Sequence, residues 1–304
     1  MKVLISDNLA PVGEKIMRDA GLEVDVRTGL SPEELVKIIP AYDGLVIRSA
    51  SKVTAEILEA AENLKVVGRA GIGLDNVDVP AASKKGVVVM NAPDGNATTA
   101  AEHAVSMMMA LTRNIPQATA SMKAGKWEKK KFQGHEVTAK VAGVVGIGRI
   151  GRIFAERAMG LRMKVIAFDP HMPAEQMEKI GVEPVTLEEL CQRADYISVH
   201  VPLTPETKHV LGAEQFAMMK PTTMVVDCAR GGVVDEKALY EALKTKTIRG
   251  AALDVFEVEP TTLENCPLLG LDNFICTPHL GASTAEAQEN VRGGHRRTAS
   301  PTIY

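Results

Sequence analysis

The sequence predicts an α/β protein of two lobes, each a parallel β-sheet with helices on both faces. Short apolar runs alternate along the chain with stretches of helical periodicity, which is typical of parallel strands joined by helices. The alternation occurs in two successive series. A length of 304 residues also allows two domains of roughly 150 residues each.

The first series predicts buried strands wherever an apolar run occurs in the early part of the chain. These runs are Val3–Ser6, Gly44–Ile47, Val66–Arg69 and Val87–Met90. Helical periodicity fills the gaps, over Leu9–Ala20, Ser31–Ile39, Ala55–Ala61 and Val79–Lys84.

The second series begins near the middle of the chain and predicts a larger sheet. Its apolar runs are Val141–Val145, Lys164–Phe168, Tyr196–His200, Thr223–Asp227, Gly250–Leu253 and Phe274–Cys276. The helical patterns between them include Gly151–Gly160, Ala213–Ala217 and Glu236–Lys244. Between the two series, Thr99 and Glu102 have the spacing of a capping box, which predicts the start of a long helix linking the lobes.

Composition excludes several classes of protein. Lys and Arg total 35 against 38 Asp and Glu, a net charge of −3, so we expect no nucleic-acid or membrane-surface partner. Apolar residues make up 45% and charged residues 24%, which excludes intrinsic disorder. No apolar stretch approaches the roughly 20 residues of a membrane span. The four cysteines lack metal-ligand spacing, so we expect no metal site and a reducing, cytoplasmic location.

A glycine motif follows one of the predicted strands directly. Gly146, Gly148 and Gly151 have GxGxxG spacing after the run Val141–Val145, and a helical pattern follows them. Such glycines can simply form a tight turn. Asp169, however, follows Gly151 by 18 residues, near the roughly 20 expected of the acid that binds an adenosine ribose. The motif therefore predicts a dinucleotide site, and a carboxylate that would repel a 2′-phosphate indicates NAD rather than NADP.

Three polar side chains follow the late strands of the second series: Arg230, Glu259 and His279. Ligands of open α/β sheets bind outside the carboxyl ends of the strands, so we expect these residues in one crevice. There the arginine would bind a carboxylate, the glutamate would hold the imidazole, and the histidine would exchange a hydroxyl proton. Taken alone, any one of them, the histidine above all, is more often structural.

From Met1 to about Val291 the chain resembles the D-isomer-specific 2-hydroxyacid dehydrogenases. The resemblance is carried by residues 46–54, 67–78, 115–127, 146–151, 228–236, 251–260 and 277–284. It implies a flavodoxin-like substrate-binding lobe of residues 1–94 and 283–304, with an NAD-binding Rossmann lobe of residues 95–282 inserted into it.

The resemblance also implies roles for particular residues. His279 would be the acid/base, Glu259 its partner and Arg230 the residue that orients the substrate. The cofactor would contact Gly146, Gly148, Arg149, Ile150, Gly151, Asp169, Val201, Pro202, Cys228, Ala229, Arg230, Asp254, His279, Gly281 and Ala282. The carboxylate and phosphate of the substrate would face Arg48, Ser49, Arg69, Gly71, Ile72 and Gly73.

The activity implied is NAD-dependent oxidation of 3-phosphoglycerate at C2, the first step of serine biosynthesis. Two alternatives remain open at this point: a glyoxylate/hydroxypyruvate reductase, and a dinucleotide-sensing corepressor on the same fold. The family also implies a homodimer or homotetramer in which residues 127–131 lie near the neighbouring active site. Because this stretch contains three lysines, it could equally be a solvated face.

Two departures from the family are visible. No regulatory domain is expected after the catalytic core. Residues 292–304 have no apolar stripe, and they contain Gly293, Gly294 and Pro301, which disfavour a helix. We therefore expect any helix that begins near Thr284 to stop by about Arg292, and the end of the chain to be irregular and exposed.

Overall fold

The computed structural model describes residues 1–92 and 95–290, and its chain divides into two compact units. The first unit contains Met1–Ala97 and the segment that begins at Ser283, and the second unit contains Thr98–Ala282.

The first unit is built on a five-stranded parallel sheet. Its strands are β1 (Lys2–Ile5), β2 (Glu23–Val26), β3 (Gly44–Ile47), β4 (Val66–Arg69) and β5 (Val88–Asn91). Its helices are α1 (Pro11–Asp19), α2 (Pro32–Ile38), α3 (Ala55–Ala60) and α4 (Val79–Lys84). The strand order β2-β1-β3-β4-β5 is the flavodoxin-like order, which confirms the predicted fold of this lobe.

Strand β2 was not predicted. It pairs with β1 at the edge of the sheet, and Val24 is its one buried side chain. Its neighbours Glu23 and Asp25 form ion pairs with Lys2 at 3.2 and 3.3 Å. An edge strand with alternate charged residues has no apolar run, so its sequence is that of a loop.

The second unit is built on a seven-stranded parallel sheet. Its strands are β6 (Val141–Val145), β7 (Lys164–Phe168), β8 (Glu183–Pro184), β9 (Tyr196–Val199), β10 (Met224–Asp227), β11 (Gly250–Leu253) and β12 (Phe274–Cys276). Its helices are α5 (Ala97–Thr112), α6 (Ile115–Lys123), α7 (Arg149–Gly160), α8 (Ala174–Lys179), α9 (Leu187–Arg193), α10 (Ala213–Met218) and α11 (Glu236–Lys244).

The strand order β12-β11-β10-β9-β6-β7-β8 is that of a doubly wound Rossmann sheet. All six predicted strands are present with bounds that agree within one residue, and β8 is a two-residue addition at the edge. The α/β class with two parallel sheets is thereby confirmed.

Both faces of this sheet are buried, as expected for a parallel sheet. Adjacent residues of one strand belong to different cores: Val144 lies in the core that contains Phe154 of α7, whereas Val145 lies in the core that contains Leu190 of α9. This is why the strands appear in the sequence as continuous apolar runs and not as alternating patterns.

Helix α5 begins at Ala97, so Thr99 and Glu102 lie inside it and the predicted capping box is wrong. Ala97 is buried and a strong helix former, and the helix extends back to it. The helix ends at Thr112. Asn114 then has a left-handed backbone, with φ of 53°, immediately before α6.

The last described helix is α12 (Ala285–Asn290). The expectations about residues 292–304, including an end near Arg292, lie outside the described residues. None of the helices in the described part of the chain has both the length and the apolar character that crossing a membrane demands.

Candidate active site

A tight glycine turn follows β6, at the point where the strand order reverses between β6 and β9. Gly146 has φ of 88°, and a Cβ there would lie 2.5 Å from Cγ1 of Val201 and 2.9 Å from the carbonyl oxygen of His200. A Cβ on Gly151 would overlap the carbonyl oxygen of Gly146 and lie 3.3 Å from Cγ1 of Val144. Glycine is therefore required at both positions by close backbone packing.

Gly148 differs from the other two glycines because its Cβ direction is open. No heavy atom lies within 4 Å of a Cβ built there, and no side chain caps helix α7, which begins at the next residue, Arg149. Arg149 and Ile150 lie in the first turn of this helix, whose N–H groups and dipole favour an anion. The turn therefore leaves room for a diphosphate, and it fits the dinucleotide predicted from the sequence.

Asp169 directly follows β7 and lies beside the glycine turn. Its Oδ2 accepts a hydrogen bond from the N–H of Ile147, and its Oδ1 accepts one from the N–H of His171, both at 2.9 Å. The carboxylate thus holds the glycine turn. The ribose contact predicted for it remains a prediction.

His200 directly follows β9 and lies against the glycine turn, and Val201 and Pro202 come next in the chain. Burial lowers the pKa of His200 to about 3, so its ring is neutral. The centroid of its ring lies 5.1 Å from that of Phe154, and its Nε2 forms a hydrogen bond with the hydroxyl of Ser198 at 2.9 Å. These contacts give His200 a packing role next to the glycine turn.

The loop that carries Arg230 follows β10. Asp227 ends that strand, and burial raises its pKa to about 7 although it accepts a hydrogen bond from the N–H of Ala229 at 2.7 Å. Burial also raises the pKa of the Cys228 thiol well above its usual range, with the charges of Asp254 and Asp227 adding to the effect. This thiol is therefore protonated and unreactive at neutral pH.

Gly231 allows the loop that carries Arg230 to lie directly against the loop that follows β11. A Cβ on Gly231 would overlap the carbonyl oxygen of Phe256, so the two backbones touch. The N–H of Phe256 in turn donates to Oε1 of Glu259 at 3.1 Å. Arg230 and Glu259 are thereby held on adjoining loops.

The side chains of His279 and Glu259 are in direct hydrogen-bond contact. Nδ1 of His279 lies 2.9 Å from Oε2 of Glu259, and both side chains are partly exposed. A carboxylate only accepts, so Nδ1 carries the proton in this bond, and Nε2 of the neutral ring is the basic nitrogen. The pair can therefore take up and return a proton, with the charged imidazolium stabilised by the glutamate.

Asp254, predicted only as a cofactor contact, is fully buried and anchors the loop of His279. It accepts hydrogen bonds from the N–H groups of Leu280 and Gly281, both at 2.7 Å. Burial raises the pKa of Asp254, but hydrogen bonds from His103, Thr277 and Leu280 outweigh this and lower it overall. Asp254 is therefore ionised. Ala282, another predicted cofactor contact, directly follows Leu280 and Gly281, which Asp254 holds.

In the first unit, Asp7 shapes the loop that contains Arg48 and Ser49. This buried carboxylate accepts hydrogen bonds from the N–H groups of Arg48 at 2.6 Å, Ala50 at 3.1 Å and Ser51 at 3.0 Å. Arg48 directly follows β3. Its backbone is fixed at the carboxyl edge of the sheet, and its side chain extends from there.

Arg69 ends the neighbouring strand β4, opposite Ile47 in the parallel register. Its guanidinium lies over Gly71, where any Cβ would overlap it. Ile72 and Gly73 continue this loop, and the carbonyl of Ile72 accepts a hydrogen bond from Nδ2 of Asn91 at 2.6 Å. The six predicted substrate residues thus lie at or just after the carboxyl ends of two adjacent strands of one sheet.

Three residues with clear roles were not singled out from the sequence: Asp7, His103 and Thr277. Asp7 carried a signal, since it is an acid directly after an apolar run. His103, in the apolar pattern of α5, and Thr277, two residues before His279, carried none that distinguishes them from packing residues.

Residues 105–281 match the family model for the NAD binding domain of the D-isomer specific 2-hydroxyacid dehydrogenases. The chain belongs to this family, which confirms the resemblance seen in the sequence, and its second unit is the NAD-binding domain. The predicted cofactor, NAD, is confirmed with it.

Among named relatives, the D-3-phosphoglycerate dehydrogenase of Methanocaldococcus jannaschii is 53% identical over 290 residues, 95% of this chain and 55% of that protein. The enzyme of the same name from Archaeoglobus fulgidus is 51% identical over 291 residues, 96% of this chain and 55% of that protein. The chain therefore spans about half the length of these curated relatives. The solved D-lactate dehydrogenase from Aquifex aeolicus, complexed with NAD and lactic acid, superimposes with a TM-score of 0.85 at 27% identity. The match covers 96% of this chain and 92% of the Aquifex chain.

Proposed function

We propose that the chain is an NAD-dependent oxidoreductase that oxidises 3-phosphoglycerate to 3-phosphohydroxypyruvate, the first step of serine biosynthesis. The observation that carries the proposal is the His279–Glu259 pair at 2.9 Å, on loops that adjoin the Arg230 loop within the NAD-binding unit. Identity above 50% to two proteins named D-3-phosphoglycerate dehydrogenase supports this substrate over glyoxylate or hydroxypyruvate.

In the proposed reaction, Nε2 of His279 accepts the proton of the C2 hydroxyl as the carbonyl forms. Glu259 holds the ring through Nδ1 and balances the positive charge that the ring acquires. The guanidinium of Arg230 binds the carboxylate of the substrate and orients C2. When bound, NAD supplies the hydride acceptor for the hydrogen on C2.

We assign the phosphate of the substrate to Arg48 and Arg69, which lie at the carboxyl ends of adjacent strands of the first unit. Replacing either arginine by alanine should raise KM for phosphohydroxypyruvate about tenfold or more, because a hydrogen bond to a charged group is lost. KM for hydroxypyruvate, which has no phosphate, should change far less. If KM rises equally for both substrates, the arginines bind the common carboxylate and the phosphate assignment is wrong.

A homodimer or homotetramer is part of the proposal. Trp127 is 81% exposed, and Met122 and Ile115 of the adjoining α6 are 53% and 51% exposed. Large apolar side chains exposed in one stretch of the chain suit an interface, and a second copy of the chain is the partner that the family implies. Light scattering should give a multiple of the 32.6 kDa chain mass, and Trp127→Ser should lower it.

We further propose a cytoplasmic location. Cys191, Cys228, Cys266 and Cys276 are all free thiols, as expected in a reducing compartment. A net charge of −3 gives no reason to propose a nucleic-acid or membrane partner.

The test of the activity is the oxidation of NADH, followed by its absorbance, with phosphohydroxypyruvate, hydroxypyruvate, glyoxylate and pyruvate compared at equal concentration. We expect kcat/KM to be highest for phosphohydroxypyruvate. A preference for glyoxylate or hydroxypyruvate would replace the proposal by the reductase alternative. Binding of NADH without turnover of any of the four would favour a dinucleotide sensor.

A further inference from the structure

Behind the His279 loop lies a buried cluster centred on Asp254. Its Oδ1 accepts hydrogen bonds from the N–H of Leu280 and from the hydroxyl of Thr277, and its Oδ2 accepts one from the N–H of Gly281. Its carbonyl oxygen accepts the N–H of His279 at 2.8 Å. The side chain and the backbone carbonyl of Asp254 therefore hold residues 277–281 in place.

His103 of helix α5 completes this cluster. Its Nε2 lies 3.0 Å from Oγ1 of Thr277 and 3.3 Å from Oδ1 of Asp254. The one hydroxyl proton of Thr277 is donated to Asp254, so the proton between His103 and Thr277 must belong to Nε2. His103 is thus a donor toward both residues, and the neutral ring is sufficient for this role.

The loop needs such support because of the backbone of His279. Its φ of 56° lies in the left-handed region, which is disfavoured for a residue with a Cβ. A residue persists there only when surrounding bonds hold it. Those bonds come from Asp254, and a buried carboxylate is costly unless its donors are present.

We propose that His103 is a positioning residue for the His279 acid/base. By donating to Thr277 and Asp254, it keeps the loop of residues 277–281 in the one arrangement that presents the His279 ring to Glu259. This inference rests on the proposed function, because it assigns His103 to the same reaction, although His103 itself touches neither substrate nor the reacting atoms.

The same residues could in principle bind a metal ion. His103, Cys228 and Asp254 place potential metal ligands within 4.8 Å of one another. However, Nε2 of His103 and both carboxylate oxygens of Asp254 already make hydrogen bonds within the protein, and the Cys228 thiol is protonated. The hydrogen-bonding role accounts for Nε2 of His103 and for both carboxylate oxygens of Asp254.

Two substitutions separate the donor from the bulk of the ring. His103→Leu removes the N–H donor, whereas His103→Gln retains one on a side chain of similar reach. Ser106→Ala is the matched control, because Ser106 lies in the same helix and its hydroxyl donates to the carbonyl of Glu102 of that helix, at 2.8 Å. Each variant is measured for kcat, for KM and, by NMR, for amide hydrogen exchange at Leu280 and Gly281.

For His103→Leu we expect kcat to fall about tenfold or more, with a smaller change in KM, since a donor to a buried charged group is lost. Exchange at Leu280 and Gly281 should accelerate by a similar factor, while exchange in the strands stays at the wild-type rate. His103→Gln should recover most of both losses, and Ser106→Ala should behave as the wild type.

The inference is wrong if His103→Leu keeps wild-type kcat and wild-type exchange at residues 280 and 281. It is also wrong if exchange rises throughout the second unit and His103→Gln gives no recovery, because that result describes a residue needed only for stability. If the unmodified protein fails to turn over phosphohydroxypyruvate, the proposed function falls separately. The exchange rates at residues 280 and 281 then still decide whether His103 holds the loop.

Discussion

Two glycines of one motif, Gly148 and Gly151, should respond to alanine in different ways. A methyl group at residue 151 would overlap the carbonyl oxygen of Gly146, lie 3.1 Å from that carbonyl carbon and lie 3.3 Å from Cγ1 of Val144. The glycine turn and helix α7 would have to separate. Overpacking of this kind costs about 1–3 kcal/mol. Since 1 kcal/mol lowers the unfolding midpoint by about 2–4 °C in a domain of this size, Gly151→Ala should lower Tm by about 2–12 °C.

Gly148→Ala should leave the fold intact. Its backbone, with φ of −65° and ψ of −159°, suits alanine, and nothing lies within 4 Å of the added methyl group. The open space is where the diphosphate of a dinucleotide would approach the backbone. The methyl group should therefore weaken NADH binding about tenfold, which corresponds to about 1.4 kcal/mol, at an unchanged Tm.

The two variants are compared with the wild type by thermal unfolding without ligand and by titration with NADH, followed by its fluorescence. Each variant is the control for the other, because both add one methyl group to the same motif. Wild-type NADH affinity in Gly148→Ala would refute the assignment of the diphosphate to this turn. An unchanged Tm in Gly151→Ala would refute the argument from close packing.

Three further predictions concern charge and proton transfer. Asp169→Asn should narrow the preference for NADH over NADPH about tenfold or more, measured as a ratio of Kd values; equal affinities in the unmodified protein would contradict the ribose assignment. His279→Ala should lower kcat about 10²–10⁴-fold with NADH binding nearly intact, whereas His135→Ala in the same unit should not; near-normal turnover would make His279 structural. Because burial raises the pKa of Asp227 from 3.8 to about 7, its contribution to stability is complete below pH 3.8 and is lost as pH rises through about 7. Asp227→Asn should therefore flatten the fall in the free energy of unfolding between about pH 4 and 7, measured with urea, and an unaltered slope would show that Asp227 does not titrate there.

The strands of the second unit could be predicted because their surroundings are uniform. Residues of Val141–Val145 are packed on both faces of the sheet, so every position is apolar and the run stands out from its polar flanks. Strand Glu23–Val26 could not be predicted, because it packs on one side and its charged residues pair with Lys2 of the neighbouring strand. That pairing depends on the tertiary fold and has no local signature.

The candidate site likewise has features that could be predicted from the sequence and features that could not. Arg230, Glu259 and His279 could be placed at one edge because each follows a strand, and parallel strands end at the same edge. Glu259 could also be predicted as the partner of the His279 imidazole, but the geometry of their 2.9 Å contact could not. It depends on loop conformations, and one of them requires Gly231 to touch the backbone of Phe256.

Aspartates at the ends of strands fix the loops of the candidate site. Asp7, Asp169, Asp227 and Asp254 each end or closely follow a strand, and each accepts hydrogen bonds from the N–H groups of nearby loops. Those loops leave their backbone donors outside any sheet or helix, and buried donors require partners. Aspartate is the shortest side chain that only accepts, so it can satisfy a loop from the last position of a strand. The acid is visible in the sequence, but its partners are not: Asp7 holds residues 41 to 44 positions away, and Asp254 holds residues 26 and 27 positions away. An aspartate directly after a buried parallel strand therefore indicates a loop whose backbone is fixed and whose side chains are available for chemistry.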